Sequence, residues 1–277
     1  MRPLAPLLRS VYYFNDRLKR LSIKLVKWTG KSPEYIHPKH FLEDEPLYHW
    51  YAERIQPGSR VLDIGVGTGT HMFQAAAKAA FVAGLEYDIQ KLPVVARRAA
   101  ARGLENVAVL AADAERRFPF ADEVFDTVIF IDVLEHLHNR DGAMDEARRV
   151  LKPGGVLALC VPNRETTWKR WLKSAGLFYY SDRDHKIEYT WDELEPVIAR
   201  AGFRVLESRR AVFDFPLGGL LDVVGGFSIP LYRRLIRWKH ALAERHPKEA
   251  VGFYVFCEKS ARTASAEPAA AREAAHT

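Results

Sequence analysis

The stretch Arg60-Val61-Leu62-Asp63-Ile64-Gly65-Val66-Gly67-Thr68-Gly69-Thr70 decides the fold. Val61, Leu62 and Ile64 form a short apolar run suited to a buried strand, and the three alternating glycines after it let backbone pass very close to a ligand. A helical run, Met72 to Ala80, follows at once. Strand, glycine turn and helix together make a nucleotide-type binding turn, with amides at the helix start facing the ligand. Asp63 lies inside the strand end, an awkward place for a carboxylate unless it holds the loop amides or meets a cation.

Working outward, a second apolar strand, Phe81 to Leu85, ends in Glu86, 23 residues beyond Asp63. An acid there can accept hydrogen bonds from two ribose hydroxyls. A third strand, Val107 to Ala111, runs into Ala112-Asp113-Ala114, suited to an adenine edge. Gly-x-Gly-x-Gly differs from the Gly-x-Gly-x-x-Gly of dinucleotide folds, which must accommodate a pyrophosphate. Phe125 to Asp132 reads as a fourth strand, and Leu151-Lys152-Pro153-Gly154-Gly155 as a turn into a fifth, Val156 to Val161. Arg204 to Arg210 and Gly252 to Lys259 read as the sixth and seventh. Helices are expected at Phe41 to Gln56, Gln90 to Ala101 and Arg140 to Val150, so strands and helices alternate as in a doubly wound α/β sheet.

From about Glu45 to Lys259 these residues resemble the class I S-adenosylmethionine (SAM) dependent methyltransferases. The resemblance implies a Rossmann-like seven-stranded sheet whose last strand inserts antiparallel beside strand five, and SAM as cofactor. It places SAM contacts at Asp63, Gly65, Gly67, Gly69, Glu86, Tyr87, Asp113, Ala114 and Ile131.

Residues just after strand four stand beside the transferred methyl in this family, and here they read Asp132-Val133-Leu134-Glu135-His136-Leu137-His138. If Leu134 onward is helical, Asp132, Glu135 and His136 converge on one side. This pattern, with the distant His185 in Asp184-His185-Lys186-Ile187-Glu188-Tyr189, resembles ubiquinone-biosynthesis O-methyltransferases and small-RNA 2′-O-methyltransferases. In those families such residues can hold a divalent cation, so Asp132, Glu135, His136 and His185 are candidate ligands. A metal-free base at His136 or His185 and purely structural roles are the other two readings. The implied function is methyl transfer to an oxygen of a small-molecule or lipid-linked acceptor. A non-catalytic SAM-binding partner subunit is one alternative; an RNA methyltransferase is a lesser one, because the basic residues form no recognisable RNA module. A nicotinamide oxidoreductase is disfavoured by the glycine spacing and by the lack of a convincing Tyr-x-x-x-Lys relay.

With 277 residues, nearly half apolar, the chain can bury one decorated domain or two small ones. A net charge of +6 fits an anionic partner, whether membrane lipid, nucleic acid or a phosphorylated substrate. The two cysteines, Cys160 and Cys257, each fall in an expected buried strand, which excludes a disulfide scaffold and favours a reducing, cytoplasmic setting. No signal peptide is recognised, and no uncharged run reaches the roughly 18 residues of a membrane span.

Residues 1–40 form a basic extension: between Arg2 and Lys31 the only acid is Asp16. Apolar residues between Leu8 and Trp28 suggest an amphipathic helix, either covering the substrate mouth or docked on the domain, or lying on an anionic membrane surface or a partner. The last reading would make the chain peripheral at the inner face of a membrane. Residues 41–260 form the methyltransferase-like domain, with insertions at about 162–189 and 215–246. The first is aromatic and basic, and suits a substrate lid or a helix on the sheet edge. The second is a glycine-interrupted apolar run followed by a basic helix, suited to an acyl or prenyl substrate, lipid headgroups or a plain cap. Residues 261–277 are expected to be disordered.

Overall fold

A computed structural model describes residues 5–33, 35–42 and 45–260, so the expected disordered tail at 261–277 lies outside the described residues. The strands are β1 (Arg60–Ile64), β2 (Phe81–Glu86), β3 (Val107–Ala111), β4 (Phe125–Ile131), β5 (Leu151–Pro162), β6 (Phe203–Arg210) and β7 (Gly252–Lys259). They form one sheet in the order β3-β2-β1-β4-β5-β7-β6. β1 to β5 pair in parallel, and β7 runs antiparallel between β5 and β6. The expected Rossmann-like topology is therefore present. Val61 to Ile64 are all buried, as a central strand covered on both faces requires. Strand order reverses between β1 and β4, which opens a crevice at their carboxyl ends where ligands of such sheets bind.

The helices are α1 (Ala5–Trp28), α2 (Thr70–Ala76), α3 (Leu92–Ala100), α4 (Arg140–Val150), α5 (Thr167–Ser174), α6 (Trp191–Arg200), α7 (Gly218–Phe227) and α8 (Ile229–Arg245). Three expectations need correction. The helix expected at Phe41 to Gln56 is two 3-10 stretches, Pro38–Leu42 and Pro46–Arg54, the second kinked at His49. Proline at 46 lacks the amide that would have continued a helix through it. The helix after the glycine turn stops at Ala76, four residues early, because the chain turns to enter β2. The expected turn Leu151 to Gly155 instead belongs to β5, which starts at Leu151 and pairs with Phe125 before a register shift. Cys160 and Cys257 do lie on neighbouring strands, but Cys160 pairs with Tyr254 and Cys257 with Leu157, and both thiols are free.

The glycine-interrupted run in the second insertion is helical, and its glycines serve packing. A Cβ on Gly219 would lie 2.6 Å from the carbonyl oxygen of Asn15, and one on Gly226 would lie 2.6 Å from Leu25 Cβ. α1 thus rests directly on α7, and the two run parallel, residues 15–18 against Gly219 and 22–25 against Gly226. Gly219 N donates to Asn15 Oδ1 at 2.7 Å, and Thr29 Oγ1 donates to Gly226 O at 2.9 Å. Replacing Gly219 with Leu is expected to pry this pair apart and cost about 1–3 kcal/mol. Chemical denaturation measures that loss; an unchanged midpoint would mean α1 is not docked through this contact.

Candidate active site

The glycine turn is tied to β2 from above and below. Gly65 N and Val66 N donate to Leu85 O at 2.8 and 3.0 Å. Gly67 N donates to Glu86 Oε2 at 2.7 Å, while Glu86 Oε1 accepts from Asp88 N at 2.9 Å and faces Lys91 Nζ at 3.4 Å. All three glycines have positive φ, but they do different things. A Cβ on Gly65 would strike Val133 and one on Gly69 would strike the Phe73 ring, whereas one on Gly67 would meet nothing closer than 3.9 Å. Gly67 therefore looks out over open space.

That space is a cleft of 570 Å³, within the roughly 300–1,000 Å³ of small-molecule sites. Gly65, Gly67, Glu86, Tyr87, Asp113 and Ala114 line one side of it, and Asp132, Val133, His136 and His138 the other. Three expected contact residues do not line it. Asp63 and Ile131 are buried at strand ends, and Gly69 is covered by Phe73. A larger hollow of 720 Å³ opens at the amino edge of the sheet, where Arg149 pairs with Glu146 and Asp122, and Lys259 with Glu123. The carboxyl-edge cleft is the one at the strand-order switch, where ligands of such sheets bind.

Asp63 accepts from the Met72 amide at the start of α2, which is the loop-holding role. Its Oδ2 is buried with no partner among the described residues. Burial, reinforced by the nearby Glu86 charge and only partly offset by the Met72 amide, raises its pKa from an ordinary 3.8 to about 8.

Across the cleft, the chain leaves β4 through Asp132, whose backbone is left-handed at φ +53°, into a 3-10 turn over Leu134–His136. The expected helical convergence is only partly realised. Cys160 Sγ donates to Asp132 Oδ1 at 3.1 Å, and Asp132 does not join the donor cluster. The cluster consists of Glu135, His136 and His185, with one ligand atom from each inside 4.8 Å of the others. The distant histidine is thus brought to the turn after strand four. The two imidazoles meet edge to face, with ring centroids 4.7 Å apart.

A buried network behind the cluster has little signal in the sequence beyond the three-residue spacing of His185 and Glu188. His185 Nδ1 lies 2.8 Å from Glu188 Oε1, and Glu188 Oε2 accepts from Lys169 Nζ at 2.5 Å. Lys169 also donates to Asn163 O and Ser181 Oγ, and Ser181 N donates to Glu188. Burial opposes the Glu188 charge, yet the hydrogen bonds from His185 and Lys169 outweigh it and hold the carboxyl below its usual range. An ionised Glu188 only accepts, so Nδ1 of His185 is the donor in that contact and Nε2 is turned toward Glu135. Glu135 Oε1 is 3.9 Å from that nitrogen, and Oε2 has no partner among the described residues. Burial first, then Asp132, pushes Glu135 up to about 9, while burial and the adjacent His185 lower the His136 pKa. Lys91, Lys186 and His138, which also line the cleft, were not expected from the sequence.

Fold and cleft define a Rossmann-like domain with a nucleoside-sized site at its switch point. The sequence model of a family described as "Methyltransferase domain" matches residues 55–202, more than half of the chain, and the chain belongs to the SAM-dependent methyltransferases. It is 34% identical over 171 residues to the malonyl-[acyl-carrier protein] O-methyltransferase of Geobacter sulfurreducens, covering 59% of this chain and 61% of that protein. It is 37% identical over 103 residues to the demethylmenaquinone methyltransferase of Thermobifida fusca, covering 37% of this chain and 43% of that one. The chain thus spans less than two thirds of these relatives. Among solved structures, the [4+2]-cyclase SpnF matches with TM-score 0.56 at 21% identity over 78% of this chain and 80% of that one. The MccD protein matches with TM-score 0.57 at 16% identity over 78% and 97%.

The raised Asp63 pKa has a measurable consequence. Between about pH 4 and pH 8 the folded chain keeps this proton while the unfolded chain has lost it, so the Asp63 contribution to stability falls as pH rises through that window and levels off above it. Asp63→Asn should therefore gain on the parent chain as pH rises from 4 to 8, by urea denaturation at each pH. A constant difference across the window would contradict the buried, protonated carboxyl.

Proposed function

We propose that this chain transfers the methyl group of SAM to an oxygen of a small-molecule or lipid-linked acceptor. The observation that carries the reading is the open face of Gly67 beside Glu86, in the same cleft that His136 lines. The residues fit the cofactor. Gly67 leaves a cradle that a side chain would fill, and the Glu86 carboxylate, with about four acceptor positions, has not spent them all on Gly67, Asp88 and Lys91. Asp113 lines the cleft where an adenine amino group could reach it; its Oδ1 accepts from Glu115 N at 2.9 Å, and Arg116 Nε lies 3.8 Å from its Oδ2.

When bound, SAM supplies a methyl group made electrophilic by its sulfonium, so the protein's task is to align the acceptor and take its proton. His136 faces the cleft, and its lowered pKa keeps the ring neutral and able to accept a hydroxyl proton at neutral pH. His185, fixed by Glu188, holds the His136 ring in place from behind. The Geobacter relative is named as acting on oxygen, which supports the same acceptor atom here.

A second reading rests on the donor cluster itself. Glu135, His136 and His185, with the spare Glu135 Oε2, could hold a divalent cation that lowers the acceptor's pKa. The two readings differ in their response to chelator.

Calorimetry with SAM tests the cofactor site. Gly67→Val and Glu86→Ala should each weaken binding by tenfold or more, since a charge-assisted hydrogen bond contributes about 1.5–3 kcal/mol. Undiminished affinity in both would end the assignment. Turnover is then followed as label moving from methyl-labelled SAM into a cell extract. His136→Ala should lower it about 10²–10⁴-fold at unchanged SAM affinity. Activity that survives chelation supports the base, and activity lost on chelation and restored by magnesium, manganese or zinc supports the cation. Full turnover in both His136→Ala and His185→Ala would leave the cluster a structural role only.

A further inference from the structure

Seven residues along a helix return to within about 20° of the same direction, so residues at that spacing form a row. On α1 such a row is Leu7, Phe14, Leu21 and Trp28, and all four are exposed, from 38 to 66%. α7 exposes Leu220 and Phe227, and α8 exposes Leu231 and Trp238, again seven apart. Of fourteen large apolar side chains exposed among the described residues, nine lie on these three helices, counting Tyr13. They are not scattered.

The rows also share a side. On α1 the row stands about a quarter-turn from the line of contact with α7, and on α7 Leu220 and Phe227 stand about a quarter-turn from Gly219 and Gly226 in the opposite rotational sense. Because the helices run parallel, opposite senses bring both rows to one face of the pair. α8 begins two residues after Phe227 and adds its own exposed row at that end of the pair.

Cations flank the rows. α1 carries Arg9, Arg17, Lys19, Arg20, Lys24 and Lys27 against the single acid Asp16, which pairs with Arg20. Arg17 and Lys24 follow Phe14 and Leu21 by three residues, one helical step away, and Arg234 lies between Leu231 and Trp238. None of these three has a carboxylate partner among the described residues.

We propose that the α1–α7–α8 face docks on an anionic lipid surface. Aromatic and aliphatic side chains beside cations suit the headgroup boundary, where rings bury and basic groups meet lipid phosphates. A second copy of the chain fits less well, since a two-fold interface would set Arg17 and Lys24 against like charges. No described helix is long and apolar enough to cross a membrane, so the contact is interfacial. This inference is independent of the methyl acceptor.

Flotation of the full chain with vesicles tests it, using phosphatidylcholine alone and an equal mixture with phosphatidylglycerol. Recovery is expected only with the anionic vesicles and is expected to fall as salt is raised. Arg17→Gln/Lys24→Gln should lower partitioning roughly 30-fold, two cations' worth of attraction, and Phe14→Glu/Trp28→Glu should abolish it. Thermal unfolding checks that both variants fold. Should either variant fail to fold, Phe14→Cys labelled with an environment-sensitive dye gives the reading instead, since Cys160 and Cys257 are buried. A blue shift on anionic but not neutral vesicles is then expected. Equal recovery on neutral vesicles, or no dye shift, would overturn the proposal. So would a chain that sediments as a dimer, is split by Phe14→Glu/Trp28→Glu and ignores vesicles.

Discussion

The hydrogen bond from the Gly67 amide to Glu86 joins the first two strands at the place where the ligand cleft begins. It sets the turn so that Gly67 faces outward, and with the Leu85 carbonyl holding Gly65 and Val66 it leaves the backbone little room to collapse into the cleft. A buried carboxylate must have its hydrogen bonds met, so the turn and the Glu86 side chain hold each other in place. Asp63 shows what happens without such compensation: one backbone amide is not enough, and the carboxyl keeps its proton.

On the opposite wall the same rule works through more partners. Lys169 and Glu188 form a buried ion pair whose remaining positions are filled by Ser181, Asn163 and His185. Full satisfaction makes such a network rigid. It anchors the segment after β5 to the turn after β4, since the Lys186 amide also donates to the Glu135 carbonyl. One of that segment's basic residues thus has an interior use: Lys169 is structural.

The parallel core was legible because it is written in local pattern. Strands β3 and β7 and helix α4 have the boundaries that hydrophobic runs and punctuation imply, and Glu86 and Asp113 fall at strand ends because the βα repeat puts them there. Contacts between distant segments were not legible. The packing role of Gly219 and Gly226 shows only once α1 is seen lying on them, and the outward Leu7, Phe14, Leu21 and Trp28 row is hidden in a helix that has apolar residues on most sides. Asp132 looked equivalent to Glu135 and His136 by spacing, but a left-handed backbone and the Cys160 thiol take it elsewhere. Glu188 was invisible as a partner because its role depends on how the segment after β5 folds back onto the turn after β4.

A crystal structure with S-adenosylhomocysteine is the sharpest test of the carboxyl-edge cleft as a SAM site organised by Glu86. The expected complex has ribose hydroxyls on Glu86, the adenine beside Asp113 and the amino-acid end over Gly67, with His136 facing the sulfur. A nucleoside bound at another place, or a cleft left empty at saturating ligand, would contradict it.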